Sequence, residues 1–174
     1  MKYLFLLILI SINFESKIEN KVTPSELKKI ITKSSSDFNI IYTYTDWCSP
    51  CVKEFPNFLQ FCKENKVTPF IIILSKDGNA DLDKFKLKFN KKYSFNSDYI
   101  FNYSFRSDIV KSLKKSNYKN YQGFIKELLG NNYNSDIIYG SDNFILTNQN
   151  SDVIYVAESG SYEKKYSEIS NLIK

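Results

Sequence analysis

Two cysteines three positions apart, Cys48 and Cys51 in Trp47-Cys48-Ser49-Pro50-Cys51, are the residues of this chain whose type and spacing most clearly permit chemistry. Such a pair can cycle between dithiol and disulfide, hold part of a metal site, or close a small structural ring. Zinc normally takes four ligands, and the sequence offers neither a second pair nor any histidine. A structural disulfide between such near neighbours closes a tiny loop and constrains the unfolded chain little. Redox exchange is the reading these comparisons favour. The third cysteine, Cys62, falls on the apolar side of a predicted helix and reads as core rather than as a redox partner.

The elements around the pair decide whether it can react. Phe38 to Thr45 is rich in Ile, Tyr and Thr and predicts a strand. A helix then runs from the motif to about Lys66, with Val52, Phe55, Leu59 and Cys62 on one face and Phe58 and Phe61 widening it. Cys48 therefore stands at a helix N-terminus, where free N–H groups and the macrodipole favour a thiolate. Such a setting lowers a cysteine pKa from ~8.5 to roughly 3.5–7.5. Pro50 in the first turn costs little, because its missing N–H would lack a helical partner anyway. Pro56, deeper in, predicts a kink. Glu54 follows Cys51 by three and shares its face. It is either an acid that exchanges protons with the pair or an ordinary carboxylate near the start of the helix.

The run Pro69-Phe70-Ile71-Ile72-Ile73-Leu74 predicts a strand buried on both faces of a parallel sheet, completing a βαβ unit. Before it, Thr23-Pro24-Ser25-Glu26 is a capping box opening a short helix to about Ser34. After the turn at Asp77-Gly78-Asn79, a middle region of about residues 80–135 predicts helices over Ala80–Lys92, Ile109–Lys115 and Tyr121–Leu129, the last stopped by Gly130. Alternation at Tyr99, Phe101, Tyr103 and Phe105 predicts an extra strand within it. Phe144–Leu146 and Val153–Val156 flank a turn-rich Asn148–Asp152 and predict a hairpin. Tyr162, Tyr166, Ile169 and Ile173 mark a closing amphipathic helix.

Composition narrows the function classes. The formal charge of +5 comes from 24 basic residues, of which Arg106 is the one arginine, and the lysines are spread along the chain and interleaved with acids. That is a solvated surface, not a nucleic-acid site. With no histidine, His-based triads and His-ligated metals are excluded. Lys2 and the apolar run Tyr3–Ile12 match a secretory signal and are short for a membrane span. The expected organisation is a signal peptide or N-terminal anchor over 1–16 and one domain over 17–174, the chain being exported and periplasmic or attached to the outer face of the cytoplasmic membrane.

The segment Trp47-Cys48-Ser49-Pro50-Cys51-Val52-Lys53-Glu54-Phe55-Pro56 closely resembles the active site of the TlpA-like, or redoxin-type, branch of the thioredoxin superfamily. Trp before the first Cys, Glu three after the second and the helix-interior Pro carry the likeness. It implies an α/β thioredoxin-like fold, a central mixed sheet flanked by helices with a helical insertion before the C-terminal hairpin. It also implies an extracytoplasmic thiol–disulfide oxidoreductase without a cofactor or metal. By resemblance, Cys48 is the nucleophile, Cys51 the resolving thiol and Glu54 the proton-handling acid. Trp47, Ser49 and Pro50 line the substrate side with Gly140 and Ser141, and Trp47 is expected to pack as a lid over the disulfide. The implied partners are a disulfide-containing protein substrate and a membrane-bound thiol donor, with the protein itself a monomer. One departure stands out: the superfamily places a cis-proline before the hairpin, whereas here Ser141 occupies that place and no proline follows Pro69. A non-proline cis bond costs ~2.5–4 kcal/mol, so a trans loop and an altered groove are expected. The alternative is a non-enzymatic thioredoxin-fold module whose cysteines hold a soft metal or a structural disulfide.

Overall fold

A computed structural model describes residues 21–45, 47–74, 82–103, 117–135, 142–157 and 160–174. The signal segment, the Asp77–Asn79 turn, the start of the helix expected at Ala80, the helix expected over Ile109–Lys115 and the pair Gly140 and Ser141 lie outside them.

The described strands are β1 (Lys21–Val22), β2 (Phe38–Tyr44), β3 (Thr68–Ile73), β4 (Ile100–Tyr103), β5 (Phe144–Asn148) and β6 (Val153–Val156). They form one mixed sheet in the order β1-β4-β3-β2-β5-β6. The first three pairings, β1–β4, β4–β3 and β3–β2, are parallel, and β2–β5 and β5–β6 are antiparallel. The helices are α1 (Pro24–Ile31), α2 (Ser49–Glu64), α3 (Leu82–Tyr93), α4 (Asn117–Leu129) and α5 (Tyr162–Leu172).

Period-two alternation of β2 splits the core between two faces. Ile40, Tyr42 and Tyr44 pack with Phe55 and Phe58 of α2, Phe89 of α3 and Ile169 of α5. Ile41 packs on the other side with Leu27 and Ile31 of α1 and Phe124 and Leu128 of α4. Phe70, Ile71, Ile72 and Ile73 of β3 are all fully buried, as an unbroken apolar run requires in a strand covered on both faces.

The local signals hold where the structure describes them. The capping box is complete: the Thr23 hydroxyl accepts from the Glu26 N–H, and the Glu26 carboxylate accepts from the Thr23 N–H at 2.8 Å. Gly130, at φ +55°, follows α4 and takes the chain into a short 3-10 turn over Gly130–Asn132. The helix expected from Tyr121 begins four residues earlier, at Asn117. The strand β4 inserts between β1 and β3, so the middle region contributes to the sheet as well as covering it. Among the described residues no helix is long and apolar enough to cross a membrane.

Candidate active site

The parallel pairing of β2 with β3 aims the end of β2 at the start of α2, and the two cysteines occupy that junction. Cys48 is the N-cap of α2, extended at φ −90° and ψ 98°, and its carbonyl accepts the first helical bond from the Val52 N–H at 3.0 Å. Upstream, the Cys48 N–H donates to the hydroxyl of the buried Thr45 at 3.2 Å. Ser49, Pro50 and Cys51 form the first turn, which brings the cysteine Cα atoms to 5.2 Å and joins the sulfurs in a disulfide. The Cys51 N–H donates to Cys48 Sγ at 3.2 Å. A donor is thus already aimed at the sulfur that would carry charge on reduction, and the first turn of α2 contains no acidic residue to oppose it.

Exposure separates the two sulfurs. Cys48 is half-buried beside the exposed Trp47, Ser49 and Pro50, whereas Cys51 has no exposed surface and belongs to the core with Tyr44 and Phe55. An attacking group from solvent therefore meets Cys48 first. Trp47, next to Cys48 in the chain, is 41% exposed.

Glu54 is half-buried in the second turn of α2. Its Oε1 accepts from the Tyr166 hydroxyl of α5 at 2.8 Å, and its Oε2 accepts from Asn57 Nδ2 at 3.3 Å. Burial, and then the Glu54 carboxylate, push the Tyr166 phenol above its ordinary pKa, so it stays a donor at neutral pH. The Tyr42 and Tyr162 phenols are raised as well, chiefly by burial, with the nearby Asp142 carboxylate adding to both.

Cys62 is a free thiol with 1% exposure. Burial raises its pKa, so it remains a protonated core side chain, in agreement with the sequence reading. It borders a cavity of about 600 Å³ lined by Pro56, Leu59, Val67, Phe95 and Tyr99, at the far end of α2 from the disulfide. Pro56 sits within α2, which continues unbroken to Glu64. Among the described residues no group of three or more His, Cys, Asp or Glu side chains converges as a metal site.

Several residues around the site were not singled out from sequence. Thr45 was readable only as a strand residue, and Tyr121 and Tyr166 only as apolar-face positions. Lys165 carried a signal that could have been used. It stands three residues after Tyr162 and four before Ile169, on the stripe that α5 buries, and it is only 4% exposed.

No protein-family model matches the chain. The search of curated proteins also finds no match. Among solved structures the chain is similar to a thioredoxin-like protein from Aeropyrum pernix, at 15% identity and a TM-score of 0.51, with 81% of each chain covered. It also aligns with a thiol:disulfide interchange protein from Bacteroides sp., at 14% identity and a TM-score of 0.49, covering 84% of this chain and 77% of that one. A third alignment is with a secreted disulfide oxidoreductase from Mycobacterium tuberculosis, at 17% identity and a TM-score of 0.45, covering 79% and 80%. Fold and site together define the class: this is a thioredoxin-like α/β fold with a Cys-x-x-Cys disulfide at the N-terminus of the helix after its central strand.

Proposed function

We propose that the protein is an exported thiol–disulfide oxidoreductase that works as a reductase. The observation that carries the reading is the asymmetry of one disulfide: Cys48 is reachable and faces a helix N-terminus, while Cys51 is sealed in the core directly behind it. In the reduced protein the Cys48 thiolate attacks a substrate disulfide. A Cys48–substrate S–S bond forms, the substrate S–S bond breaks, and the departing sulfur takes up a proton. Cys51 then attacks Cys48 Sγ, closing the intramolecular disulfide and releasing the second substrate thiol. Two electrons and two protons pass to the substrate, and a thiol donor restores the dithiol.

Trp47, Ser49 and Pro50 form the exposed rim around Cys48, suited to a protein substrate. Gly140 and Ser141 complete that rim in the reading drawn from the sequence. Glu54 is assigned the proton exchange with the pair. Export rests on Lys2 and the Tyr3–Ile12 run, and it places the substrate and a membrane-bound thiol donor outside the cytoplasm.

Reduction of insulin by the purified protein with dithiothreitol as donor, combined with metal analysis of the reduced form, tests the activity. Metal-free protein that cycles supports the reading. Stoichiometric copper or zinc with no turnover overturns it in favour of a binding module. Fractionation of tagged full-length protein tests export: intact chain in the cytoplasm with both cysteines reduced would count against it.

A further inference from the structure

Cys48 begins α2, and the main chain is held on both sides of its Cα. Its carbonyl accepts from the Val52 N–H at 3.0 Å, a bond that any helix makes at its N-cap. Its N–H lies outside the helical ladder, and a side chain takes it instead: the Thr45 hydroxyl accepts from the Cys48 N–H at 3.2 Å. The N–H belongs to the peptide plane before Cα and the carbonyl to the plane after it. Together the two bonds fix φ and ψ of Cys48, at −90° and 98°, and with them the direction of its Cα–Cβ bond.

The hydroxyl is the part of this arrangement that packing does not explain. Thr45 has no exposed surface and directly follows the buried Tyr44, the last residue of β2. A valine would fill the same volume, and a buried hydroxyl costs free energy unless it is hydrogen-bonded. The bond to Cys48 supplies that compensation, and the β-branch restricts the rotamers from which the oxygen reaches it. In the oxidised protein the S–S bond also tethers Cys48 Sγ to Cys51. Reduction removes the tether. The backbone must then keep the sulfur within reach of the Cys51 N–H, which donates to it at 3.2 Å in the disulfide.

We infer that Thr45 is a positioning residue for the nucleophile, its hydroxyl holding the Cys48 main chain so that Sγ stays on the Cys51 N–H when the disulfide opens. This rests on the thiol–disulfide reading above. The titratable side chains packed around this face of the sheet include Tyr42 and Tyr44 of β2, Glu54 of α2, Tyr93 of α3, and Tyr162 and Tyr166 of α5. Thr45→Val alters none of them and adds no charge, so a change in Cys48 ionisation in that variant reports the hydroxyl.

The test uses the full chain with Thr45→Val and Thr45→Ser and follows alkylation of Cys48 by iodoacetamide against pH after reduction, read by mass spectrometry. Losing one aligned donor to a thiolate should raise the midpoint of that profile by about one pH unit in Thr45→Val. With the thiolate less stabilised, the dithiol-to-disulfide ratio at equilibrium with glutathione should fall about fivefold. Thr45→Ser keeps the hydroxyl and should stay within about 0.3 unit and twofold of the wild type. An unchanged midpoint in folded Thr45→Val overturns the inference. So does an equal shift in Thr45→Ser, which would make the effect one of packing. Amide exchange gives an answer that needs no variant. In the reduced wild-type protein the Cys48 N–H should exchange at least about tenfold more slowly than in the unfolded chain. Unprotected exchange there rejects the inference even if Thr45→Val does not fold. Alkylation and exchange need no substrate, so if the wild-type protein reduces no insulin the redox reading fails by itself, and these two measurements still decide the role of Thr45.

Discussion

The Tyr166 hydroxyl donates to Glu54 Oε1 at 2.8 Å, tying the last helix to the redox helix one turn after Cys51. The two residues lie 112 positions apart in sequence, and the bond sets which way the carboxylate points. Whether Glu54 exchanges protons with the cysteine pair or only fastens α5 to α2 is decided by separating its charge from its bond. Glu54→Gln keeps an oxygen for Tyr166 but removes the acid. It should shift the pH dependence of Cys48 thiolate formation and slow turnover by about a hundredfold, the low end of what a positioned acid–base group contributes. Tyr166→Phe should instead cost about 1.5 kcal/mol of stability through a lost bond to a charged group, and change turnover less. A wild-type pH profile in Glu54→Gln would leave the carboxylate with the fastening role alone.

Burial of neutral phenols and of one thiol sets the stability of the protein in alkali. Tyr42, Tyr162, Tyr166 and Cys62 all have pKa values raised by burial in the folded state. Unfolded, a thiol titrates near ~8.5 and phenols near ~10. Above those values the unfolded chain binds fewer protons than the folded one, so unfolding free energy falls as pH rises. The stabilisation is complete below about pH 8 and is lost progressively beyond it. Urea unfolding followed from pH 7 to 11 should show a midpoint falling from about pH 8.5, and Cys62→Ala should delay that onset toward the phenol range near pH 10. A midpoint flat to pH 11 would contradict the burial of these groups.

Phe55 joins the redox helix to the middle region of the chain. Its ring stacks on Phe89 of α3 at 4.7 Å and meets Tyr44 at 5.1 Å and Tyr93 at 5.2 Å, with no exposed surface. Phe55→Ala should cost about 3–5 kcal/mol, as large-to-small changes in packed cores do. Because Phe89 loses a stacking partner, hydrogen exchange in α3 should quicken before that in β2 or β3. Thermal unfolding and exchange mapping check both parts.

What could be read from sequence was whatever is encoded locally. The capping box at Thr23, the apolar run of β3, the hairpin turn at Asn148–Asp152 and the cysteine junction between β2 and α2 each depend on neighbours within a few residues, so spacing alone exposes them. What was missed depends on distant pairing. β1 is two residues long and is a strand only because β4 lies beside it, a relation no local period encodes. Lys165 reads as solvated because most lysines are, and only its place on the apolar stripe of α5 marks it as buried.

The assignment of the nucleophile follows from the same junction. Cys48 is half-buried with the Cys51 N–H directed at its sulfur, Cys51 is sealed beneath it, and Cys62 is buried with a raised pKa. Alkylation requires both a thiolate and a path from solvent, and among the three Cys48 alone combines partial exposure with a place at the helix N-terminus. After reduction, iodoacetamide at pH 7 should label Cys48 at least about tenfold faster than Cys51 or Cys62, given the thiolate fraction expected at a helix N-terminus. The variants separate attack from resolution. In Cys51→Ser the first exchange can occur but nothing expels the substrate, so a mixed disulfide through Cys48 should accumulate and be visible by intact mass. In Cys48→Ser the remaining thiols are too buried to attack, and neither mixed disulfide nor turnover should appear. Equal labelling of Cys48 and Cys62, or trapping through Cys51, would reverse the assignment and require the first turn of α2 to open before reaction.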